Sequence, residues 1–256
     1  MAKSTVCAFW RNTTVDYDSY AELLKQYPAT INNDYFMPDE LRRRFESGTV
    51  TVAEDSGALY LFEKREGFTK LHFRLQSDTA AITYASNRPL AAYLVYRESR
   101  YPETAANWLL KQGFQKTMTL RRHTAAAITG ELSLAGTSRA DVNEAYAMFG
   151  EHFKAAEVDL PCRELYDGAL CIRAKDGALS GVIYLGQRPA IAVAPEAHGK
   201  GLGSKLYRAY AATKVKNGKI PTFHAFISPD NTASLAMFKS LGFAPGDVLS
   251  VCYVRG

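Results

Sequence analysis

The residues from Ile191 to Ser204, Ile-Ala-Val-Ala-Pro-Glu-Ala-His-Gly-Lys-Gly-Leu-Gly-Ser, carry the most specific chemical pattern in the chain. An apolar strand, a loop and a helix start follow one another, with glycines at 199, 201 and 203. Lacking Cβ atoms, these positions let successive backbone N–H groups turn into one concavity. The helix behind them adds its own unpaired N–H donors and the positive end of its dipole. Together they make a cradle for an anion of the pyrophosphate kind. Two other glycine-loop chemistries fail on spacing. A G-x-G-x-x-G fingerprint counted from Gly199 ends on Ser204, and from Gly201 on Leu206. A P-loop needs four residues between its first glycine and a Gly-Lys pair, and neither Gly199-Lys200 nor Gly218-Lys219 has that context.

The elements that must hold this cradle read in order through the C-terminal half. Ala126 to Leu134 is expected as a strand, and Ser138 as the N-cap of an amphipathic helix reaching about Ala156. A second helical piece follows Asp159. Strands are expected at Ala169 to Ala174 and Ala178 to Leu185, hinged at Asp176-Gly177, and at Ala190 to Ala194, where Pro195 ends the run. A helix from about Gly201 to Lys216, closed by Asn217-Gly218, leads to a strand at Thr222 to Ser228. A helix from Asn231 to Leu241 and a strand from Val248 to Val254 finish the chain. The class is α+β, or mixed α/β.

The N-terminal half follows a similar plan. A strand is expected at Val6 to Arg11, helices at Tyr17 to Tyr27 and Pro38 to Glu46, and strands at Val50 to Ala53, Ala58 to Lys64, Lys70 to Leu75 and Ala91 to Arg97. Two local matches link the halves. Ala53 to Tyr60 resembles Ala174 to Ser180, and Pro102 to Phe114 parallels Asn231 to Phe243, each of the latter a short helix ending in Gly-Phe. Their common order and spacing favour a diverged tandem duplication. No glycine lies between Gly67 and Gly113, so no phosphate loop is expected in this half.

A net charge of +5 suits an anionic nucleotide ligand and argues against a nucleic-acid partner, which needs a concentrated basic stripe. Arg42-Arg43-Arg44 and Arg121-Arg122 are too short to form one. Cys7, Cys162, Cys171 and Cys252 form no C-x-x-C pair, so neither a metal site nor a disulfide framework follows. The first residues lack the apolar run of a signal peptide, and no stretch approaches a membrane span of about 18 residues. A cytoplasmic protein is expected.

Around the glycines the chain resembles the GNAT superfamily of N-acetyltransferases, whose pyrophosphate motif is (Arg/Gln)-x-x-Gly-x-(Gly/Ala). Here it stands as His198-x-x-Gly201-x-Gly203, preceded by Val193-x-Pro195. Asn231, Phe238 and Leu241-Gly242-Phe243 resemble the family's second motif, and the likeness covers roughly Thr124 to Gly256. It implies two tandem GNAT-like domains, each a mixed, mostly antiparallel sheet flanked by helices: residues 1–123 a degenerate copy without the phosphate loop, and 124–256 the acetyl-CoA-binding copy. It also implies that the strand Ile191-Ala192-Val193 pairs with the pantetheine arm through the Val193 backbone. The amides of His198, Gly199, Lys200, Gly201, Leu202, Gly203 and Ser204 would take the pyrophosphate, with Asn231 beside the arm. The co-substrate would be acetyl-CoA or another acyl-CoA, with no metal, and the acceptor a primary amine on a small molecule or peptide. Either a monomer or a homodimer fits.

Two departures matter. His198 replaces Arg or Gln at a position that acts mainly through its backbone. Phe238 stands where the family commonly has a Tyr that protonates the departing thiolate, and phenylalanine has no proton to give. Where several relatives carry a Glu base, this chain has Phe226. On that strand Thr222, His224, Phe226 and Ser228 share one face by alternation, making His224 a candidate base and Ser228 a candidate for orienting water. The resemblance implies that Glu157 and Asp159 border the acceptor, where they could bind a cationic amine or act through water, the alternative being solvated loop carboxylates. Tyr146, Phe149, His152 and Phe153 are core or cleft lining. A non-catalytic acyl-CoA-binding module and an aminoacyl- or peptidyl-transferring relative are the alternative functions.

Overall fold

The computed structural model describes residues 15–27, 31–33, 38–55, 57–84, 86–186, 188–215 and 221–256. The expected strand at Val6 to Arg11 and the helix stop at Asn217-Gly218 lie outside the described residues. In chain order the elements are α1 (Tyr17–Gln26), β1 (Ile31–Asn32), α2 (Pro38–Glu46), β2 (Val50–Asp55), β3 (Ala58–Lys64), β4 (Thr69–Leu75), β5 (Leu90–Arg97), α3 (Glu103–Lys111) and β6 (Gln115–Ala125). They continue as β7 (Ser138–Arg139), α4 (Val142–His152), α5 (Ala155–Val158), β8 (Ala169–Arg173), β9 (Leu179–Tyr184), β10 (Ile191–Val193), α6 (Leu202–Lys214), β11 (Phe223–Ile227), α7 (Thr232–Ser240) and β12 (Ala244–Arg255). The fold is mixed α and β with mostly antiparallel strands. Among the described residues no helix is long and apolar enough to cross a membrane.

The chain divides into two compact units, one of Met1–Val95, Tyr101–Thr117 and Val251–Gly256, the other of Tyr96–Arg100 and Met118–Ser250. In the first, β2, β3 and β4 pair antiparallel and β4 pairs with β5 in parallel. Strand β3 is buried on both faces, and alternation sorts its side chains. Leu59 and Leu61 pack with Tyr20 and Leu41 of α1 and α2, while Tyr60 stacks on Trp108 of α3 at 6.4 Å. Beside them Glu63, fully buried, lies 2.7 Å from Arg44 Nη1 and 2.8 Å from Arg65 Nε, with His72 Nε2 at 3.4 Å. Burial pushes the Glu63 carboxyl up, but Arg65, the His72 bond, Arg44 and Lys70 outweigh it and hold it at about 2. Burial holds the His72 imidazole at about 4, against the bond from Glu63. Arg65, Arg44 and Lys70 neutralise a carboxylate that otherwise could not stay ionised in a core.

The second unit holds a four-stranded sheet in the order β10-β9-β8-β7, while β11 pairs antiparallel with β6. Alternation gives the first sheet two apolar faces. Leu170, Ile172, Ile183 and Leu185 face α6 through Leu206 and Tyr207, and Phe223, Ala225 and Ile227 of β11 join the same core with Phe238 and Phe243. Ala169, Cys171, Val182 and Ala192 face α4 through Ala145 and Phe149. Helix α6 thus lies on both β10's sheet and β11, and each of those two strands ends its own row of pairings.

Three expectations fail here. Ala126 to Leu134 is not a strand. Its apolar run is held as a loop: Thr129 N donates to Leu241 O at 3.0 Å and Arg208 Nε donates to Thr129 O at 3.0 Å. Gly130, at φ 93°, takes a turn that a strand cannot contain. The strand before the loop is β6, which was not foreseen. Ser138 sits in β7 rather than capping a helix, and the cap is Asp141, whose carboxylate accepts from Asn143 N and Glu144 N at 2.8 and 3.3 Å. The helix stops at His152 and resumes as the short α5.

Candidate active site

The glycine loop departs from β10 through a single 3-10 turn, Pro195–Ala197, with proline at its start. Two of its glycines need their identity for conformation. Gly199 and Gly201 have φ of 74° and 73°, the left-handed region, and a Cβ placed on either would meet no atom within 4 Å. Their freedom therefore serves a backbone that turns its amides into open space. Gly203 is different. It lies in the first turn of α6, where a Cβ would stand 2.6 Å from the Met237 sulfur, so its smallness lets α7 approach α6. Among the described residues, none of the amides of Gly199 through Ser204 donates to a backbone carbonyl. No acidic side chain stands in the first turn of α6, and Lys200 and Lys205 flank it. Main chain, helix dipole and nearby cations are arranged here as an anion would need them, and the open loop is of a kind that could hold a pyrophosphate.

Strand β10 supplies the second component. Tyr184 N donates to Ala190 O at 2.9 Å and Ala194 N donates to Ser180 O at 3.0 Å. In an antiparallel ladder the residues between such pairs turn their N–H and C=O groups the other way. Ile191 and Val193 therefore offer their main chain to the open edge, while Ala192 faces β9 opposite Val182. His198 Nε2 donates to the Val193 carbonyl at 2.9 Å, tying the loop back to the strand. The side chain at 198 thus has a structural part that the sequence did not reveal, since imidazole can reach a carbonyl five residues back only in this turn. The Ile191 groups and the Val193 N–H are what remain for an extended, amide-bearing ligand.

Beyond this edge the outward face of β11 carries His224 and Phe226, because Phe223, Ala225 and Ile227 are buried on the other face. Thr222 is exposed just before the strand. Partial burial and the Arg122 guanidinium hold the His224 imidazole below its ordinary value, both disfavouring its charged form. Ser228 uses its hydroxyl in a turn, accepting from Asp230 N at 3.3 Å. The Phe226 ring faces a cation: Arg188 stands 5.2 Å from its ring centroid. Arg188 also pairs with Asp159 at 3.7 Å, and that carboxylate is nearly buried. Asp159 has φ 49°, the only non-glycine with positive φ among the described residues. Arg188 carries no motif and was missed by sequence reasoning. Glu157 has a local task, accepting from Lys154 N at 3.2 Å to cap α5.

Asn231 caps α7, its Oδ1 accepting from Ser234 N at 2.9 Å. Phe238 is a core residue, edge-on to Tyr207 and to Phe243 with centroids 5.0 Å away in each case. The structure thus brings the loop 198–204, the β10 edge and α6 into one surface. His224 lies on the outward face of β11, and Phe238 is placed inside the core.

Residues 140–243 match the model of the Acetyltransferase (GNAT) family. No curated protein matches the sequence. Several solved structures share the fold. A Drosophila protein aligns at 17% identity with a TM-score of 0.57, covering 93% of this chain and 87% of its own. The GCN5-related N-acetyltransferase from Kribbella flavida aligns at 16% identity and a TM-score of 0.51, over 81% of this chain and 90% of its own. A tandem GNAT protein from the clavulanic acid biosynthesis pathway aligns at 11% identity and 0.54, over 96% and 98%. At these identities the likeness is one of fold, and together with the family match it supports the GNAT superfamily.

Proposed function

We propose that the second unit moves an acetyl group from acetyl-CoA to a primary amine. The observation that carries this reading is the conjunction of the Gly199–Ser204 amide cradle with the open main chain of Ile191 and Val193, one anion site leading directly to one extended edge. Amides 199–204, with Lys200 and Lys205, would hold the pyrophosphate, and Ile191 and Val193 would bond the amides of the pantetheine arm. Bound there, acetyl-CoA supplies an activated acetyl group with thiolate as its leaving group. The chain's part is to align amine and thioester, a contribution of about 7–11 kcal/mol at best for well-oriented partners, and to accept the amine's proton. The acceptor side is the outward face of β11 with Arg188 and Asp159. Residues 1–123 are proposed as the degenerate copy, with a structural task, and the acceptor as a small molecule or peptide.

The second reading, a non-catalytic acyl-CoA-binding module, is favoured by Phe238, which puts an apolar ring where proton donation was expected. Release of free CoA from acetyl-CoA, measured against amino acids, a polyamine, amino sugars and short peptides, separates the two. Amine-dependent release supports the transferase. Tight CoA binding without turnover on any of them supports the module, and failure to bind CoA removes both.

A further inference from the structure

The loop from β9 to β10 is pinned before it reaches the open strand. Leu185 N donates to Gly168 O at 2.9 Å. From α6, Tyr210 and Lys214 donate to the carbonyls of Gly186 and Leu185 at 3.2 and 2.7 Å. Arg188 leaves this fixed loop just ahead of Ile191, and its guanidinium stands over the Phe226 ring of β11. One side chain, 35% exposed, thus spans from the start of the β10 edge to the outward face of β11.

A second guanidinium belongs to the same face. Arg122 of β6 is the register partner of Phe226. Directly opposed residues of an antiparallel pair turn their side chains to one side, with Cβ atoms about 4.5–5.5 Å apart. Arg122 is half-buried, and its Nε is buried with no hydrogen-bond partner among the described residues. Asp159 answers the charge of Arg188, but no carboxylate among the described residues stands within ion-pair distance of Arg122. A buried guanidinium donor without an acceptor is costly and calls for one that arrives with a ligand.

Resting on the transferase reading above, we infer that the acceptor is an amine carrying a carboxylate, which Arg122 and Arg188 hold beside Phe226. The flat edge of a guanidinium matches the two oxygens of a carboxylate. One unanswered positive charge suits a monoanion, whereas a phosphate dianion would be opposed more strongly by Asp159. The substrate class is then that of amino acids and short peptides. Polyamines and amino sugars lack the anion that this face is built to meet.

The test uses matched pairs: an amino acid, and the amine that has hydrogen in place of its carboxylate, so that the reacting nitrogen keeps a similar basicity. With acetyl-CoA the wild-type protein should favour the carboxylate-bearing member by about 10²-fold in kcat/KM. Arg122→Gln and Arg188→Gln should each shrink that ratio by about ten-fold, with cooperative melting as the check that each variant folds. Arg188→Lys keeps the charge and loses the fork, so its ratio should fall between those of wild type and Arg188→Gln. If Arg122→Gln does not fold, the two Arg188 variants decide. Equal turnover of both members by the wild type overturns the inference and leaves the transferase reading standing, as does a preference for a phosphate-bearing amine. A ratio that survives the glutamine variants overturns the assignment to these arginines. A wild-type protein that turns over no amine overturns the transferase reading and the inference with it.

Discussion

Substituting Gly201 by alanine and by glutamate separates the conformational work of this residue from its electrostatic surroundings. Gly201 is the N-cap of α6 at φ 73°, ψ 8°. Any L-residue there bears a left-handed backbone, at about 1–2 kcal/mol, and because a Cβ meets nothing within 4 Å no steric cost is added. Both variants should therefore lose that same stability. They part on ligand affinity. A carboxylate about 5 Å from a pyrophosphate charge, at an effective dielectric of about 20, is opposed by about 3 kcal/mol, roughly a 10²-fold loss of affinity. Alanine adds no charge and should cost about ten-fold or less through crowding alone. Calorimetric titration with CoA at about 50 and 300 mM salt reads both quantities, and the glutamate penalty should shrink at the higher salt because screening weakens it. If Gly201→Glu bound CoA within three-fold of Gly201→Ala, the loop would not be the anion site.

Other outcomes follow from the packing and the buried charges. Phe238→Ala should cost about 3–5 kcal/mol in denaturant unfolding, since it removes a ring buried against Tyr207 and Phe243, and a loss under 1 kcal/mol would contradict that core. Asn231→Ala should cost about 1 kcal/mol by removing the cap of α7, measurable in the same experiment. Acid should destabilise the first unit in two stages. His72 is held at about 4 against an ordinary 6.5, so between those values the unfolded chain binds the extra proton and stability falls as pH drops. Glu63, at about 2 against 4.5, continues the loss below pH 4.5. Thermal melts from pH 7 to 4 should show the first stage, and a His72→Phe variant that keeps the whole slope would refute it. Glu63→Gln leaves Arg44 and Arg65 facing a neutral group in the interior and should cost about 3–5 kcal/mol, read by denaturation at pH 7.

What the sequence revealed followed from how strictly a local structure dictates its residues. The loop at 199–203 was legible because left-handed backbone and close helix approach both demand glycine. The outward face of β11 was legible because alternation in a strand is rigid. Ala126 to Leu134 misled for a converse reason: its apolar residues alternate as in a strand, yet Thr129, donating to Leu241 O and accepting from Arg208, both distant in sequence, is fixed in a loop. Ser138 and Asp141 are both good caps by type, and only the pairing of Ser138 with Cys171 across β7 and β8 decides between them. Arg188 depends on contacts with Asp159 and Phe226, and no spacing rule encodes these.

The open strand β10 has a consequence for the protein's life in a crowded solution. An unpaired strand edge is a template on which another chain can lay itself, the usual start of intermolecular aggregation. The groove must nevertheless stay open if an extended ligand is to use it. The conflict is met by brevity. Three residues form the strand, Pro195 forbids its extension, and His198 occupies one of the few outward carbonyls. Too little edge remains for a foreign strand to gain a stable register. Replacing Pro195 with a β-branched residue should lengthen the edge and make the protein aggregate as its concentration rises, and CoA should protect it by filling the same groove.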